Sequence, residues 1–355
     1  MHDGGGLAPV PTDRLVTVSI KVPVPEPLQR RHRQTLEGRA WLGHLPAFLH
    51  QAIEQWQLDV DLPSGALPWH GHTGIVVPVR TSGGAPAALK LAFPHDEALL
   101  EPLALTLWSG QGAVALLDSD ASLGALLLER LDQSRPLLKI PMDEAIAVWG
   151  KLLKDLSIHP DARPEWRLIP QVAATAERYC DELPQRWADL AEPFPRWLLE
   201  AALEVCQTHG AVSRRSNNDV LVHTDLHYLN ILAKTGTPVA GEADAKDYVA
   251  IDPQAQVGDA EFAVAPCLWN RLEDLPHRNA EAGLRRRASQ LAQAAGLDEG
   301  LAVAWTIVRE VENALCYLEE AGHSGDATRS LWVASTMAGK TLPDLPAAHQ
   351  LKTLH

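Results

Sequence analysis

The chain predicts an α+β fold of two lobes, a small N-terminal lobe on an antiparallel sheet and a larger, mainly helical C-terminal lobe. Three observations carry this expectation. At 355 residues the chain exceeds the roughly 150 residues of an average domain and has room for about two compact units. Short apolar runs of strand character cluster before residue 131, whereas long stretches of helical periodicity dominate after residue 140. The composition, 46% hydrophobic and 21% charged, is that of a soluble globular protein. The expected division is an N-terminal extension over 1–35, an N-terminal lobe with a leading helix over 36–131, and a C-terminal lobe over 132–355.

Taken in order, residues 1–35 read as a loose extension whose alternating Val16, Val18, Ile20 and Val22 form one edge strand that stops at Pro23 and Pro25. Between Gly38 and Trp56 the apolar Trp41, Leu42, Leu45, Phe48, Leu49 and Ile53 recur at helical spacing, with Pro46 a candidate break. Trp69-His70-Gly71-His72-Thr73-Gly74 then leads into the strand Ile75–Arg80. Gly71 and Gly74 would let backbone amides approach phosphate oxygens, and Thr73 adds a hydroxyl donor. An ordinary hairpin turn accounts for two glycines as well. His70 and His72 form a His-x-His pair with no third ligand in view, a weak basis for a metal site.

Ala87–Phe93 reads as a strand in which Lys90 is the one charge among apolar neighbours. Such a lysine needs a partner, and Glu97 and Glu101, four apart on the next helix, are the candidates. Pro102 follows directly, so a kink there would move Glu101. A surface-facing position is the alternative for Lys90. Leu126–Leu131 reads as the last strand of the small lobe, passing through Glu129 and Leu131 into the connection to the second lobe. From Ile140 to His209 the pattern is helical, with Ala145, Val148, Trp149, Leu152 and Leu153 forming an apolar core stripe. Lys234–Lys246 reads as a hairpin loop, and Leu284–Leu297 and Leu301–Leu318 as helices.

The chemistry concentrates in His223-Thr224-Asp225-Leu226-His227-Tyr228-Leu229-Asn230 and in Asp252, 22 residues beyond Asn230. Val220-Leu221-Val222 and Tyr248-Val249-Ala250-Ile251 read as short buried strands, so both carboxylates stand at strand ends facing a cleft. Phosphoryl transfer from ATP needs such a set. Asp225 is placed to orient an acceptor hydroxyl and take its proton, while Asn230 and Asp252 supply oxygen ligands for magnesium. The protein-kinase catalytic loop keeps the same interval between its Asp and Asn. Ordinary turn residues capping hairpins are the alternative reading of Asp225 and Asn230.

These residues resemble the aminoglycoside phosphotransferase family, and within it the streptomycin 6-phosphotransferase and hydroxyurea phosphotransferase group. The likeness extends to Ala250-Ile251-Asp252-Pro253-Gln254, Gly258-Asp259-Ala260-Glu261-Phe262, Leu268-Trp269-Asn270-Arg271, Leu107–Val114 and Arg309–Leu315. It implies a protein-kinase-like fold, ATP and magnesium as cofactors, and O-phosphorylation of a small-molecule acceptor. By resemblance Lys90 meets the ATP phosphates and Glu101, and the backbone around Glu129 and Leu131 meets adenine. His223 supports the catalytic loop, and Asp259 braces it, unless Asp259 is only a helix N-cap. Where the family carries a second acidic residue, this chain has Ala263. Asp259, Glu261, Glu273, Asp274 and Glu312 are available to a cationic acceptor, with Trp269 to pack on a sugar or guanidinium face. A streptomycin-like acceptor leads. A host sugar, amino sugar or hydroxyurea-like metabolite is the alternative, and a non-catalytic nucleotide-binding regulator is a third reading.

Composition narrows the partners. A net charge of -14 disfavours nucleic acid, which is bound mainly through Lys and Arg, and suits a polycationic acceptor, although solubility alone produces a negative surface too. No apolar run reaches the roughly 18 residues of a spanning helix, and the Gly- and Pro-rich start does not resemble a signal peptide, so no membrane partner and a cytoplasmic location are expected. The four cysteines are far apart and predict reduced, mostly buried thiols.

Overall fold

The computed structural model describes residues 22–210, 218–236 and 245–353. Val16, Val18 and Ile20 of the expected edge strand, and residues 237–244 of the expected hairpin loop, lie outside the described residues; Val22 is not in a strand. The chain begins with α1 (Glu26–His32) and α2 (Leu36–Gln55), followed by strands β1 (Asp59–Val60), β2 (Trp69–His70), β3 (Gly74–Arg80) and β4 (Pro86–Ala92). Helix α3 (Asp96–Trp108) leads to β5 (Leu116–Asp120) and β6 (Ala125–Glu129). These strands form an antiparallel sheet in the order β1-β3-β4-β6-β5, with β2 also on β3.

Alternation along β4 divides its side chains between two cores. Ala87, Leu89 and Leu91 pack with Leu45, Leu49 and Ile53 of α2. Ala88 and Lys90 face the other way, toward the gap between the lobes. Helix α2 starts at Thr35, whose hydroxyl accepts from the Gly38 amide. It runs on through Pro46 without a break, because Leu45, Leu49, Ala52 and Ile53 hold it against the sheet on both sides of the missing hydrogen bond. The looseness expected of residues 1–35 does not extend to α1. Leu28 and His32, one helical turn apart, are buried there, and the His32 ring lies 4.8 Å from Trp41 and 4.9 Å from Phe93.

Helix α3 belongs to the small lobe in sequence but to the large lobe in packing. Its Leu105, Leu107 and Trp108 join the core of α4 (Met142–Leu156), and the Trp108 indole N–H donates to the Leu156 carbonyl at 2.8 Å. Beyond it, Val114 donates to the Ala250 carbonyl and Ala250 to that of Gly112, each at 2.8 Å. Gly112 is required there, since its φ of +72° is left-handed and a Cβ would stand 3.1 Å from the Leu156 side chain.

The large lobe carries two small antiparallel ladders. One orders β7 (Leu131–Pro136), β9 (Ile231–Lys234) and β10 (Tyr248–Ala250) with β9 central; the other pairs β8 (Val220–His223) with β11 (Ala255–Gly258). Helices α5 (Val172–Asp189), α6 (Arg196–His209), α7 (Ala265–Leu268), α8 (Ala280–Ala295), α9 (Glu299–Glu319) and α10 (Ser324–Met337) complete it. The expected stripe of α4, Ala145 to Leu153, is buried. Cys206 and Cys267 are buried as expected, but Cys180 is half-buried and Cys316 exposed, because the latter two stand near the surface faces of α5 and α9; all four are free thiols. No helix among the described residues is long and apolar enough to cross a membrane.

Helix α9 buries a carboxylate whose titration is measurable. Glu310 is fully buried, and burial pushes its carboxyl up to about 7, against the pull of neighbouring donors and of Arg329 and Arg309. The folded form therefore holds a proton that the unfolded chain releases above about pH 4.5, so this carboxyl lowers stability progressively from about pH 4.5 to 7, by about 3 kcal/mol in all. Glu310→Gln is expected to flatten that slope. Urea unfolding of both proteins from pH 5 to pH 8 should show the variant gaining on the parent as pH rises; parallel profiles would contradict the assignment.

Candidate active site

Between the lobes lies a cavity of about 780 Å³, a size that accommodates a small-molecule ligand. One wall is the small-lobe sheet with Val76, Ala88 and Lys90; the opposite wall carries Asp225, Asn230 and Asp252. The sheet alternation described above aims Lys90 inward. Its ammonium lies 2.7 and 2.6 Å from the two Glu101 carboxylate oxygens and 2.5 Å from Asp252 Oδ1. Burial acts to depress the Lys90 pKa, and Asp252 and Glu101 more than offset it, so the net direction is upward and the side chain is an ammonium. Glu101 is the partner, as the sequence suggested, and Pro102 neither breaks nor displaces α3, since the docking of Trp108 fixes the helix beyond it.

The strand ends predicted for the two carboxylates are found. Asp252 follows β10 at φ +56°, a left-handed conformation that aspartate tolerates better than most residues, and its carboxylate opens on the cavity. Lys90 holds the Asp252 carboxyl below its ordinary value against the opposing effect of burial. Asp225 follows β8. Asn230 fixes it by donating through Nδ2 to the Asp225 carbonyl at 3.0 Å and to Oδ2 at 3.2 Å. Those donations leave the Asn230 amide oxygen as the acceptor end of the side chain.

His223 supports this loop from below. Its Nε2 donates to the Ile251 carbonyl at 3.0 Å, and its Nδ1 accepts from the Asp225 amide at 3.2 Å. This pairing suits a neutral ring, and burial lowers its pKa in the same direction. Asp259 does not act as the sequence reading had it. It makes no side-chain cap, and its Oδ2 accepts from the Trp305 indole at 2.9 Å. The loop is braced by Arg309 instead, whose guanidinium donates to the carbonyls of Thr224 and Phe262. The sequence names Arg309 only within the Arg309–Leu315 likeness and gives it no role, because a lone arginine beside the buried stripe of α9 carries no spacing signal.

The remaining predicted residues divide. Gly71, Thr73 and Gly74 form the β2–β3 turn on the cavity wall, yet the Gly71 amide closes the turn on the Gly74 carbonyl at 3.1 Å and is not free for a phosphate. Gly74 serves packing, since a Cβ there would stand 2.6 Å from the Leu91 carbonyl oxygen. Glu129 and Leu131 also line the cavity, at the point where the chain leaves β6 for β7. The Glu129 carboxylate accepts from the Ala115 amide at 2.9 Å, which leaves its backbone as the part facing a ligand.

Of the expected acceptor residues, Trp269 borders the cavity beside His227 and Asn270, and the chain's own Arg329 guanidinium stands 5.4 Å over its ring. Glu261 and Glu312 are not in the cavity wall. Glu261 accepts from the Asp298 amide at the start of α9, and Glu312 pairs with Arg186 of α5 at 3.4 Å. Both carboxylates serve helix contacts. Asp274 pairs with Arg271 at 2.6 Å, and neither it, Glu273 nor Asp259 lines the cavity.

A buried lysine held between two carboxylates, facing an Asp–Asn turn across a ligand-sized cavity, defines a small-molecule kinase of protein-kinase-like fold. Comparison with known proteins agrees. The aminoglycoside/hydroxyurea antibiotic resistance kinase family matches residues 60–321, and the chain belongs to that family. It is 35% identical to streptomycin 6-kinase of Streptomyces griseus over 307 residues, 85% of this chain and 92% of the relative. It is 34% identical to hydroxyurea phosphotransferase of Kitasatospora aureofaciens over 307 residues, 85% and 82% of the two chains. Among solved structures, an aminoglycoside 2′-phosphotransferase mutant in complex with GDP superposes with a TM-score of 0.52 at 12% identity, covering 82% of this chain and 97% of that one, a likeness of fold.

Removing Lys90 leaves Glu101 buried without its cation, so Lys90→Met is expected to destabilise the protein by about 3–5 kcal/mol in urea unfolding. Adding Glu101→Met should restore most of that loss by replacing the pair with apolar volume. A double variant no more stable than Lys90→Met would contradict the buried-pair account.

Proposed function

We propose that this protein is an ATP- and magnesium-dependent O-phosphotransferase that modifies a hydroxyl of an aminoglycoside-like antibiotic, a streptomycin-type acceptor first, and so confers resistance. The observation that carries the reading is the convergence of Lys90, Glu101, Asp225, Asn230 and Asp252 on one cavity. The backbone between Glu129 and Leu131 would hold the adenine of ATP, and Lys90 would meet its phosphates. Asn230 and Asp252 offer oxygen donors, as a hard cation requires, and their geometry fits: the Asn230 amide nitrogen is spent on Asp225, and only Asp252 Oδ1 is engaged by Lys90. Magnesium held there by Asn230 and Asp252 would neutralise phosphate charge.

Asp225 orients the acceptor hydroxyl and takes its proton as the oxygen attacks the terminal phosphorus. Asn230 and His223 hold that carboxylate in place through its amide, carbonyl and Oδ2. His227, Trp269 and Asn270 continue the wall beside Asp225 and form the acceptor end, where an aromatic face suits a sugar or a guanidinium. The names of the relatives favour streptomycin; the hydroxyurea phosphotransferase among them supports a second reading in which the acceptor is hydroxyurea or a similar small hydroxyl compound. A need for ATP would favour a cytoplasmic location.

ADP release with ATP and magnesium, measured with streptomycin, other aminoglycosides, amino sugars and hydroxyurea singly, should respond to streptomycin-type acceptors. Asp225→Asn should lower that turnover about 10²–10⁴-fold while ATP affinity stays within about threefold. Silence with every acceptor would remove the catalytic reading and leave a nucleotide-binding regulator.

A further inference from the structure

Helix α1 reaches the catalytic cavity, and it does so with an uncommitted cation. Leu28 and His32 anchor the helix in the small-lobe core beside Trp41 and Phe93. The neighbouring face turns Pro27, Leu28 and Arg31 into the cavity wall. Other charged side chains of this segment are occupied locally: Arg30 pairs with Glu26 at 2.8 Å, and Arg33 donates to Gln29 at 2.6 Å. The Arg31 side chain makes no ion pair or hydrogen bond among the described residues. The lining of the cavity contains one other Lys or Arg, Lys90, and that ammonium is divided between Glu101 and Asp252.

The position along the cavity is informative. Phe93, which packs on His32, donates its amide to the Thr73 carbonyl at 2.7 Å, so the end of α1 that bears Arg31 is tied to the β2–β3 turn. His72 at the tip of that turn feels the charges of Arg31, Asp252 and Asp225. Arg31 thus stands on the cavity wall beside the β2–β3 turn. The β2–β3 turn spends its Gly71 amide internally, so that amide does not serve a phosphate and a charged donor on the same wall adds to what the turn can offer. A planar guanidinium is suited to bind a phosphate through two parallel hydrogen bonds.

We infer that Arg31 is a phosphate-binding residue that contacts the terminal phosphoryl group of the nucleotide from α1, opposite Asp225. The inference rests on the kinase reading above. During transfer the acceptor oxygen bonds to the terminal phosphorus as the bond from that phosphorus to the bridging oxygen breaks. The acceptor proton passes to Asp225, and ADP leaves. Arg31 contributes hydrogen bonds and charge and is unchanged at the end.

The test compares ATP-analogue and ADP affinities of the full chain by calorimetry with magnesium, using a non-hydrolysable ATP analogue. Arg31→Ala should weaken the analogue about 10–100-fold and ADP less than about threefold, with Arg31→Lys between, and Arg30→Ala should match the parent. Equal weakening of both nucleotides, or of neither, would overturn the assignment while leaving the kinase reading intact. A parent protein that binds neither nucleotide would overturn both. Because Arg31 is exposed, a loss of fold is not expected, and unchanged thermal midpoints of both variants check this.

Discussion

The Lys90 ammonium holds this structure together, because it joins three elements that arrive from different parts of the chain. Lys90 comes from the middle of a small-lobe strand, Glu101 from a helix docked on the large lobe, and Asp252 from the end of a large-lobe strand. A buried cation must have anions, and two carboxylates within hydrogen-bonding distance satisfy it. Their placement requires both the unbroken path of α3 through Pro102 and the close approach of Gly112 to α4. Substrate phosphates would enter a site whose positive charge is already aligned, and they would compete with Asp252 for it. Preorganisation of this kind is the main contribution a protein can make to phosphoryl transfer.

The catalytic loop is held by a different logic, one of carbonyls rather than charges. The His223 imidazole joins Ile251 to the Asp225 amide, the Ile251 amide meets the Asn230 carbonyl at 2.9 Å, and Arg309 gathers the carbonyls of Thr224 and Phe262. Backbone groups that a turn leaves without partners are thereby satisfied away from water. The Asp225 carboxylate is then the part of the loop left to face a ligand.

Much of this was legible in the sequence, for physical reasons that also explain what was not. Short apolar strands ending at Asp225 and Asp252 are unambiguous because buried strands leave little choice of residue, and Lys90 stood out as one charge in such a strand. Helix α1 was missed because it has seven residues, with Pro25 before it and Pro27 in its first turn, and only Leu28 and His32 turned inward. Helix α10 was missed because its buried face includes Asp326, Arg329, Ser330, Ser335 and Thr336, which erase apolar periodicity. In sequence Glu261 and Glu312 are available to an acceptor, since spacing does not distinguish a carboxylate that binds a substrate from one that steadies a helix. Arg309 and Arg31 act through tertiary position, which no local pattern encodes.

The departure at Ala263 can be placed in this framework. Where the family pattern has an acid, Ala263 is fully buried between Phe262 and Val264. A carboxylate at that depth would need a cation or several donors to offset its desolvation. A strong donor beside this segment is Arg309, which already holds the Phe262 carbonyl one residue away and reaches across to Thr224. With alanine at 263 the guanidinium stays with the two carbonyls, and the catalytic loop is tied to the segment after Asp259 without an additional buried charge. The acceptor end keeps its aromatic wall at Trp269, backed by Arg329, so a change of acceptor among relatives can proceed at that wall while the loop and its support remain as they are.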